Sequence, residues 1–204
     1  MIKTKVIGRV FRQDEIADQI YDMWIETELA QGARPGQFVC VYTKNAAALL
    51  PRPISICEVN EEKTMLRLVY RTVGTGTNEF AAYHAGTEIS LLGPLGNGFP
   101  VEKAAGKRVF LIGGGIGIPP MLQLSKEIKK AGQAYCELSV LGYRNELFLN
   151  TDLEKYSQVY VATEDGSAGT KGTVLDAIKE KGLSGDVIFA CGPMPMLRAV
   201  KEYA

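Results

Sequence analysis

The chain has 204 residues, 46% of them hydrophobic, so it can bury a substantial core in one or two domains and is not a disordered chain. Lysine plus arginine number 23 and aspartate plus glutamate number 23, and this balance excludes an overall field that would attract nucleic acid or an anionic membrane. The first residues lack the apolar region of a secretory signal. The uncharged stretch 109–125 is broken by glycines and prolines, which favours a buried strand and helix over a membrane span. We therefore expect a cytoplasmic protein.

The first half of the chain has the pattern of short strands separated by turns. This many short strands at close intervals, several of them alternating apolar and polar residues, favour an antiparallel barrel or sandwich. A short helix is predicted at Asn78–Tyr83 with Thr77 as its N-cap, and His84 is interpreted as a helix-end or packing residue rather than a catalytic base. The predicted strands are Thr4–Phe11, Ile20–Glu28, Gln37–Thr43, Ile54–Val59, Met65–Tyr70 and Glu88–Leu92.

After residues 93–100 the pattern changes, and apolar runs of five or six residues alternate with helical segments. Such alternation predicts parallel strands joined by right-handed crossovers, with ligands gathering at the carboxyl ends of the strands. We thus predict two domains, an antiparallel barrel or sandwich over residues 1–98 and an α/β domain with a parallel sheet over residues 99–204. The predicted elements are strands Val109–Ile112, Cys136–Leu141, Val159–Thr163 and Val187–Cys191, and helices Pro120–Ala131, Thr173–Lys181 and one from Met194.

A glycine-rich turn in the second domain joins the strand that ends at Gly113 to the helix that begins at Pro120. Residues without side chains let a phosphate approach the backbone, and a helix N-terminus favours an anion. The turn matches the dinucleotide fingerprint G-x-G-x-x-G only in part, because Ile118 stands where glycine or alanine is required, and no acidic residue sits cleanly at the end of the next strand. A tight turn without a ligand is the alternative.

Two segments of the barrel also combine groups that suit phosphate. Arg52-Pro53-Ile54-Ser55 offers a fixed cation, a rigid bend and a hydroxyl, although a solvated arginine beside a turn has the same pattern. The segment from Tyr70 to Thr77 places an aromatic ring and a second arginine at a strand end, followed by glycines and hydroxyls before a helix. Together with the glycine turn, these segments would suit two dinucleotides that meet between the domains.

Two later segments of the α/β domain lie at strand ends. Residues 163–174 are rich in glycine, hydroxyls and acids, and could also be a plain loop. Residues 190–197 end a strand with a glycine and a proline, and Cys191 is small enough to let a flat ring approach, or is a buried thiol with no role. The four cysteines are widely separated, so the sequence contains neither a zinc motif nor a local iron–sulfur motif.

These motifs, taken in order, resemble the ferredoxin-NADP⁺ reductase-like superfamily. The likeness is greatest to the electron-transfer subunits of NAD-dependent (type 1B) dihydroorotate dehydrogenase, and it covers essentially the whole chain. The segments that carry it are Arg52–Ser55, Tyr70–Thr77, Gly93–Phe99, Gly113–Pro120, Thr163–Ser167 and Cys191–Pro193.

The resemblance implies that the first domain is a six-stranded antiparallel β-barrel that holds FAD and that the second is an α/β nucleotide-binding domain that binds NAD(H). Carried over by position, Arg52 contacts the flavin pyrophosphate, and residues 53–55 line the isoalloxazine with Ser55 near its reactive edge. Residues 69–71 hold the ribityl chain and ring, the 113–120 turn receives the NAD phosphates, and Cys191 flanks the nicotinamide. Ser55 and Cys191 are thus the implied catalytic residues. The full implied cofactor site is Arg52, Pro53, Ile54, Ser55, Val69, Tyr70, Arg71, Gly74, Gly76, Thr77, Gly113, Gly114, Gly115, Gly117, Pro119, Thr163, Glu164, Asp165, Cys191, Gly192, Pro193 and Met194.

In such a family the flavin exchanges a hydride with NAD(H) and passes electrons through a [2Fe-2S] cluster to an FMN-containing dihydroorotate dehydrogenase subunit, in a heterotetramer that serves pyrimidine (UMP) synthesis. The resemblance places the cysteines of that cluster in a C-terminal extension, whereas this sequence stops at Ala204 within a predicted helix, so we expect no metal site in the residues given. One alternative is an NAD(P)H-linked flavin reductase subunit of a ferredoxin-NADP⁺ oxidoreductase or hydrogenase, with Arg144 meeting a ribose 2′-phosphate. Another is a cofactor-free binding module.

Overall fold

The computed structural model describes residues 5–45, 48–132 and 134–204. The chain divides into two compact units, Met1–Gly98 and Phe99–Ala204.

The first unit contains the strands β1 Lys5–Ala17, β2 Ile20–Glu26, β3 Phe38–Tyr42, β4 Arg52–Val59, β5 Met65–Arg71 and β6 Glu88–Leu95, with helix α1 at Thr75–Ala81. The strands close into an antiparallel barrel in the order β1-β2-β5-β4-β3-β6, which confirms the predicted barrel and rules out a sandwich. Buried side chains of all six strands form one apolar core, with Ile25, Val39 and Leu68 fully buried.

Two local predictions in this unit were wrong. Residues 28–32 form a 3₁₀ turn instead of extending β2, because the Thr27 hydroxyl accepts the Leu29 amide and ends the strand. Helix α1 begins at Thr75 with Gly74 as its N-cap, so Thr77 is not the cap but the third residue of the first turn. Of the two alternatives for His84, its exposed position after the end of α1 excludes a packing role.

The second unit contains the strands β7 Arg108–Gly114, β8 Cys136–Tyr143, β9 Gln158–Thr163, β10 Thr170–Lys171 and β11 Val187–Cys191, and the helices α2 Pro119–Ala131, α3 Asn150–Leu153, α4 Val174–Glu180 and α5 Met194–Tyr203. The strands form a parallel sheet in the order β10-β9-β8-β7-β11, as predicted. The sequence pattern did not reveal β10 and α3, because elements of two and four residues are too short to show a period.

The register of this sheet brings the carboxyl ends of its strands together. Gly113 at the end of β7 pairs with Leu141 on β8 and with Cys191 on β11, while Tyr143 pairs with Thr163 on β9. The loops that follow these strands therefore leave one edge of the sheet, where ligands of parallel sheets bind. None of the helices in the described part of the chain combines the length and the apolar character that a membrane span needs.

Candidate functional site

The barrel places Arg52 directly against the turn that begins α1. A Cβ atom added at Gly76 would lie 2.5 Å from Arg52 Nε and 2.8 Å from its Cζ, so the guanidinium occupies the space that any other side chain would need. The same guanidinium donates a hydrogen bond to the Leu50 carbonyl. Two segments predicted separately as phosphate-binding are therefore in contact, and this contact requires glycine at position 76.

Arg71 adds a second cation at the same end of the barrel. β4 begins at Arg52 and β5 ends at Arg71, and neighbouring antiparallel strands place such ends side by side. Arg71 Nε is buried and has no hydrogen-bond partner among the described residues. A buried donor without an acceptor is costly, and a diphosphate would supply acceptors for both guanidinium groups. The residues present thus fit the diphosphate of a dinucleotide such as FAD.

The aromatic residue of this segment has a different environment from the one that the resemblance implies. Tyr70 is 2% exposed and points into the barrel, where its ring stacks on Tyr21 at 5.9 Å and its hydroxyl donates to Gln13 Oε1 at 2.8 Å. Burial raises the pKa of Tyr70 well above its ordinary value. The side chain therefore supports the barrel wall. Val69 is also buried and, by strand alternation, faces away from the interior.

Thr77 shapes the turn through its hydroxyl. Its Oγ1 accepts the amides of Val73 at 2.8 Å and Gly74 at 3.2 Å, and donates to the Gly74 carbonyl at 3.1 Å. The amides of residues 75–77 belong to the first turn of α1 and have no intrahelical partner. Thr77 could thus offer its amide, but not its hydroxyl, to a ligand.

The residues that follow Arg52 on β4 do not share one face. Ile54 packs against the barrel core, whereas Pro53 is exposed and Ser55 is half-buried. Because side chains alternate along a strand, Pro53 and Ser55 lie on the outer face and Ile54 on the inner one. Of this segment, Pro53 and Ser55 are placed to line a ring on the outside of the barrel.

In the second unit, most glycines of the 113–117 turn are required by close packing. An added Cβ would lie 2.9 Å from Ile118 at Gly113, 2.5 Å from the Met196 sulfur at Gly114, and 2.3 Å from the Cys191 carbonyl oxygen at Gly117. Ile118 is fully buried against Gly113. This contact explains the departure from the fingerprint, since Ile118 fills the helix–strand contact that a third glycine would otherwise form.

Gly115 differs from its neighbours because its surroundings are open. Its φ is +52° and an added Cβ would have no atom within 4 Å, so the backbone here faces free space. Pro119 and Pro120 then start α2, both buried. The turn can therefore receive a phosphate at Gly115, while its other glycines hold it against β11 and α5.

The segment that follows β11 packs on this turn. Gly117 contacts the peptide between Cys191 and Gly192, and Gly192 contacts the Met196 methyl group. Cys191 is half-buried, and burial raises the pKa of its thiol, which is therefore protonated at neutral pH. Pro193 and Met194 are exposed at the start of α5. Cys191 presents a neutral, compact side chain rather than a nucleophile.

The loop after β9 is held by Thr163. Its buried hydroxyl donates to the Ala168 carbonyl at 2.8 Å and accepts the Ala168 amide at 3.1 Å, so it is occupied by the loop itself. Glu164 and Asp165 are exposed. The Ser167 amide donates a hydrogen bond to the Asp165 carboxylate at 2.9 Å, and this bond holds the pKa of Asp165 below its ordinary value. Two acidic side chains, Glu164 and Asp165, are therefore exposed at this edge of the sheet.

Three residues that support these sites were missed by the sequence pattern. Gln13 donates to the carbonyls of residues 80, 81 and 83 and so caps the end of α1. Glu79 accepts hydrogen bonds from two backbone amides of the β3–β4 connection. In the second unit, Met196 packs on Gly114. Each contact joins positions that are distant in the chain, and no local pattern marks them.

Within the described part of the chain, no group of three or more histidine, cysteine, aspartate or glutamate side chains could hold a metal ion. The four cysteines are free thiols.

Comparison with protein families matches residues 111–202 to the oxidoreductase NAD-binding domain. Among curated proteins, the chain is 42% identical to the electron transfer subunit of dihydroorotate dehydrogenase B (NAD(+)) from Bacillus caldolyticus, covering 97% of this chain and 79% of the relative. It is 43% identical to the corresponding subunit from Bacillus velezensis, covering 92% of this chain and 75% of the relative.

Solved structures share the whole fold. A structure of an NADH-dependent reduced ferredoxin-NADP oxidoreductase, described in connection with flavin-based electron bifurcation, superposes with a TM-score of 0.86 at 30% identity, covering 99% of this chain and 73% of that one. A ferredoxin NADP+ reductase from Neisseria gonorrhoeae, solved with bound FAD and NADP, superposes with a TM-score of 0.80 at 16% identity, covering 97% and 89%. The second likeness concerns the fold alone.

Proposed function

The chain belongs to the family of electron-transfer subunits of NAD-dependent dihydroorotate dehydrogenase B, and from this premise we propose that it uses FAD to pass electrons between NAD(H) and a dihydroorotate-oxidising subunit that contains FMN. It is an oxidoreductase subunit with an NAD-binding domain, and its pathway is pyrimidine synthesis, as the dihydroorotate substrate of its relatives requires. The single observation that carries the flavin assignment is the Arg52 guanidinium packed on Gly76.

The barrel residues would bind and orient FAD. Arg52 and Arg71 would neutralise its diphosphate, and the orphan Arg71 Nε would gain an acceptor. Pro53 and Ser55, on the outer face of β4, would line the ring. Bound FAD would supply the chemistry of this subunit, since a flavin can exchange a hydride with a nicotinamide and single electrons with a one-electron carrier.

The second unit would bind NAD(H) along the carboxyl edge of its sheet. The open backbone at Gly115 would face the phosphates, and the protonated Cys191 would leave room for a flat nicotinamide ring. Glu164 and Asp165 favour NAD over NADP, because two carboxylates would repel a ribose 2′-phosphate. Arg144 is exposed beside them and accepts the Asp165 amide with its carbonyl, and it is the residue that would offset this repulsion.

The likeness to an NADH-dependent ferredoxin-NADP oxidoreductase supports the same cofactor pair with a different partner, at 30% identity against about 42% for the dihydroorotate dehydrogenase subunits. The higher identity over nearly the whole chain favours the dihydroorotate pathway.

Isolation of the protein from its own cells tests the proposal. We expect it to co-purify with a dihydroorotate-oxidising subunit in a heterotetramer and to reduce NAD⁺ when dihydroorotate is added. Co-purification with a ferredoxin-linked or hydrogenase subunit, with no dihydroorotate-dependent NAD⁺ reduction, would contradict the assignment of the partner.

A further inference from the structure

A second contact joins the β3–β4 connection to α1, one helical turn away from Gly76. The Glu79 carboxylate accepts the Lys44 amide at 2.6 Å through Oε1 and the Asn45 amide at 3.3 Å through Oε2. The Tyr83 hydroxyl donates to the same Oε1 at 2.5 Å, and the Lys44 ammonium lies 5.4 Å from the Tyr83 ring centre. We call the contacts of Glu79 with Lys44, Asn45 and Tyr83 the Glu79 clasp.

The Glu79 clasp and the Arg52 contact hold the two ends of one connection. Lys44 and Asn45 follow β3, and Arg52 begins β4. Gly76 and Glu79 are three residues apart on α1 and therefore lie on the same face of the helix. The connection is thus fixed to one face of α1 at both ends, and its second end carries the guanidinium.

The negative charge of Glu79 would by itself oppose the binding of a diphosphate beside Arg52. Partial burial raises the pKa of Glu79, but the hydrogen bonds from Tyr83 and from the Lys44 and Asn45 amides outweigh it and hold the pKa below its ordinary value. A carboxylate one helical turn from a diphosphate is repulsive. The clasp explains why a carboxylate is present there, because its oxygens accept hydrogen bonds from the Lys44 and Asn45 amides and from the Tyr83 hydroxyl.

We propose that Glu79 is a positioning residue for the flavin diphosphate, acting through Arg52 by tying the β3–β4 connection to α1. The inference rests on the proposed function, since it takes FAD as the ligand of the barrel. Glu79 does not touch the ligand in this account. It reduces the freedom that Arg52 would lose on binding, so that less of the interaction energy is spent on ordering the connection.

The test is a double-mutant cycle on FAD binding, with Kd measured by flavin fluorescence for the parent, Glu79→Ala, Arg52→Ala and the double variant. We expect Glu79→Ala to weaken FAD binding about tenfold, because Arg52 must then be ordered when FAD binds. The same change in the Arg52→Ala background should have no further effect. Riboflavin, which lacks the diphosphate, should bind parent and Glu79→Ala equally.

Two variants separate positioning from folding and from charge. Glu79→Gln keeps the acceptor for Lys44 and Tyr83 and should recover most of the affinity, and Glu88→Ala, which removes an exposed glutamate from β6, should bind FAD as the parent does. The urea midpoint of FAD-free Glu79→Ala should fall, because the hydrogen bonds of the clasp are present without FAD, and an unchanged riboflavin affinity would show that the variant is folded.

Multiplicative effects of Glu79→Ala and Arg52→Ala would overturn the inference, and so would tighter FAD binding by both Glu79 variants, which a purely electrostatic role predicts. A parent chain that binds no FAD would remove the proposed function itself and the inference with it.

Discussion

Replacing Gly76 by alanine tests the Arg52 contact without removing any functional group. The new methyl carbon would lie 2.5 Å from Arg52 Nε, and because Nε is near the end of a flexible side chain, the guanidinium should move away while the backbone stays. Position 76 is inside α1, where alanine is favoured over glycine by up to about 1 kcal/mol. The free energy of unfolding of the barrel should therefore stay equal or rise slightly.

FAD binding should change in the opposite direction. A hydrogen bond to a charged group contributes about 1.5–3 kcal/mol, so displacing Arg52 should weaken FAD binding roughly 10- to 150-fold. Flavin fluorescence titration measures the Kd, and urea unfolding of the FAD-free protein measures stability. Gly32→Ala is the matched control, because Gly32 lies in the same unit but outside the candidate site, and an added Cβ there would have no atom within 4 Å.

The reasoning would be refuted by a Gly76→Ala variant that binds FAD as tightly as the parent. It would equally be refuted by equal losses of affinity in Gly32→Ala and Gly76→Ala, because the contact with Arg52 would then have no part in the effect.

Three further predictions concern the second unit. Burial beside Ser125 raises the pKa of Glu137 to about 7, so the folded state favours the protonated acid and loses stability, at most about 3 kcal/mol, as pH rises from about 4.5 to 7. Glu137→Gln should abolish this fall in urea midpoints measured from pH 5 to 8, and an unchanged fall would contradict it. Gly117→Ala places a methyl group 2.3 Å from a backbone oxygen and should lower the free energy of unfolding by about 1–3 kcal/mol. An unchanged free energy of unfolding would show that the turn is not tightly packed. Asp165→Asn should improve the relative use of NADPH about fivefold in flavin reduction assays, and an unchanged NADH to NADPH ratio would exclude a role for this charge.

The barrel and the parallel sheet were predictable because their signals are local. Alternation along Met65–Arg71 and the apolar run around Leu111 report burial on one or two faces within a few residues. Barrel closure depends instead on the pairing of β3 with β6, and this pairing joins Phe38 to Leu95, which no short pattern encodes.

The positions of the candidate site residues were likewise predictable only where the sequence signal is local. That Gly113 and Cys191 would lie at the carboxyl ends of parallel strands followed from the alternation of strands and helices, whereas the pairing of β7 with β11 did not. The contact of Arg52 with Gly76 and the Glu79 clasp could not be foreseen, because each brings together residues more than twenty positions apart through turns whose geometry is set by tertiary packing. Ile118 illustrates the reverse case, since its mismatch to the fingerprint weakened the sequence argument, yet its side chain packs against Gly113.

Anaerobic titration of the purified, FAD-loaded chain with NADH, followed through the visible absorption of the flavin, tests most directly that this chain joins FAD to NAD(H). The account predicts that NADH bleaches the flavin, that NADPH does so less effectively, and that Arg52→Ala retains less flavin than the parent. A chain that cannot be loaded with FAD, or whose bound FAD stays oxidised in the presence of NADH, would contradict it.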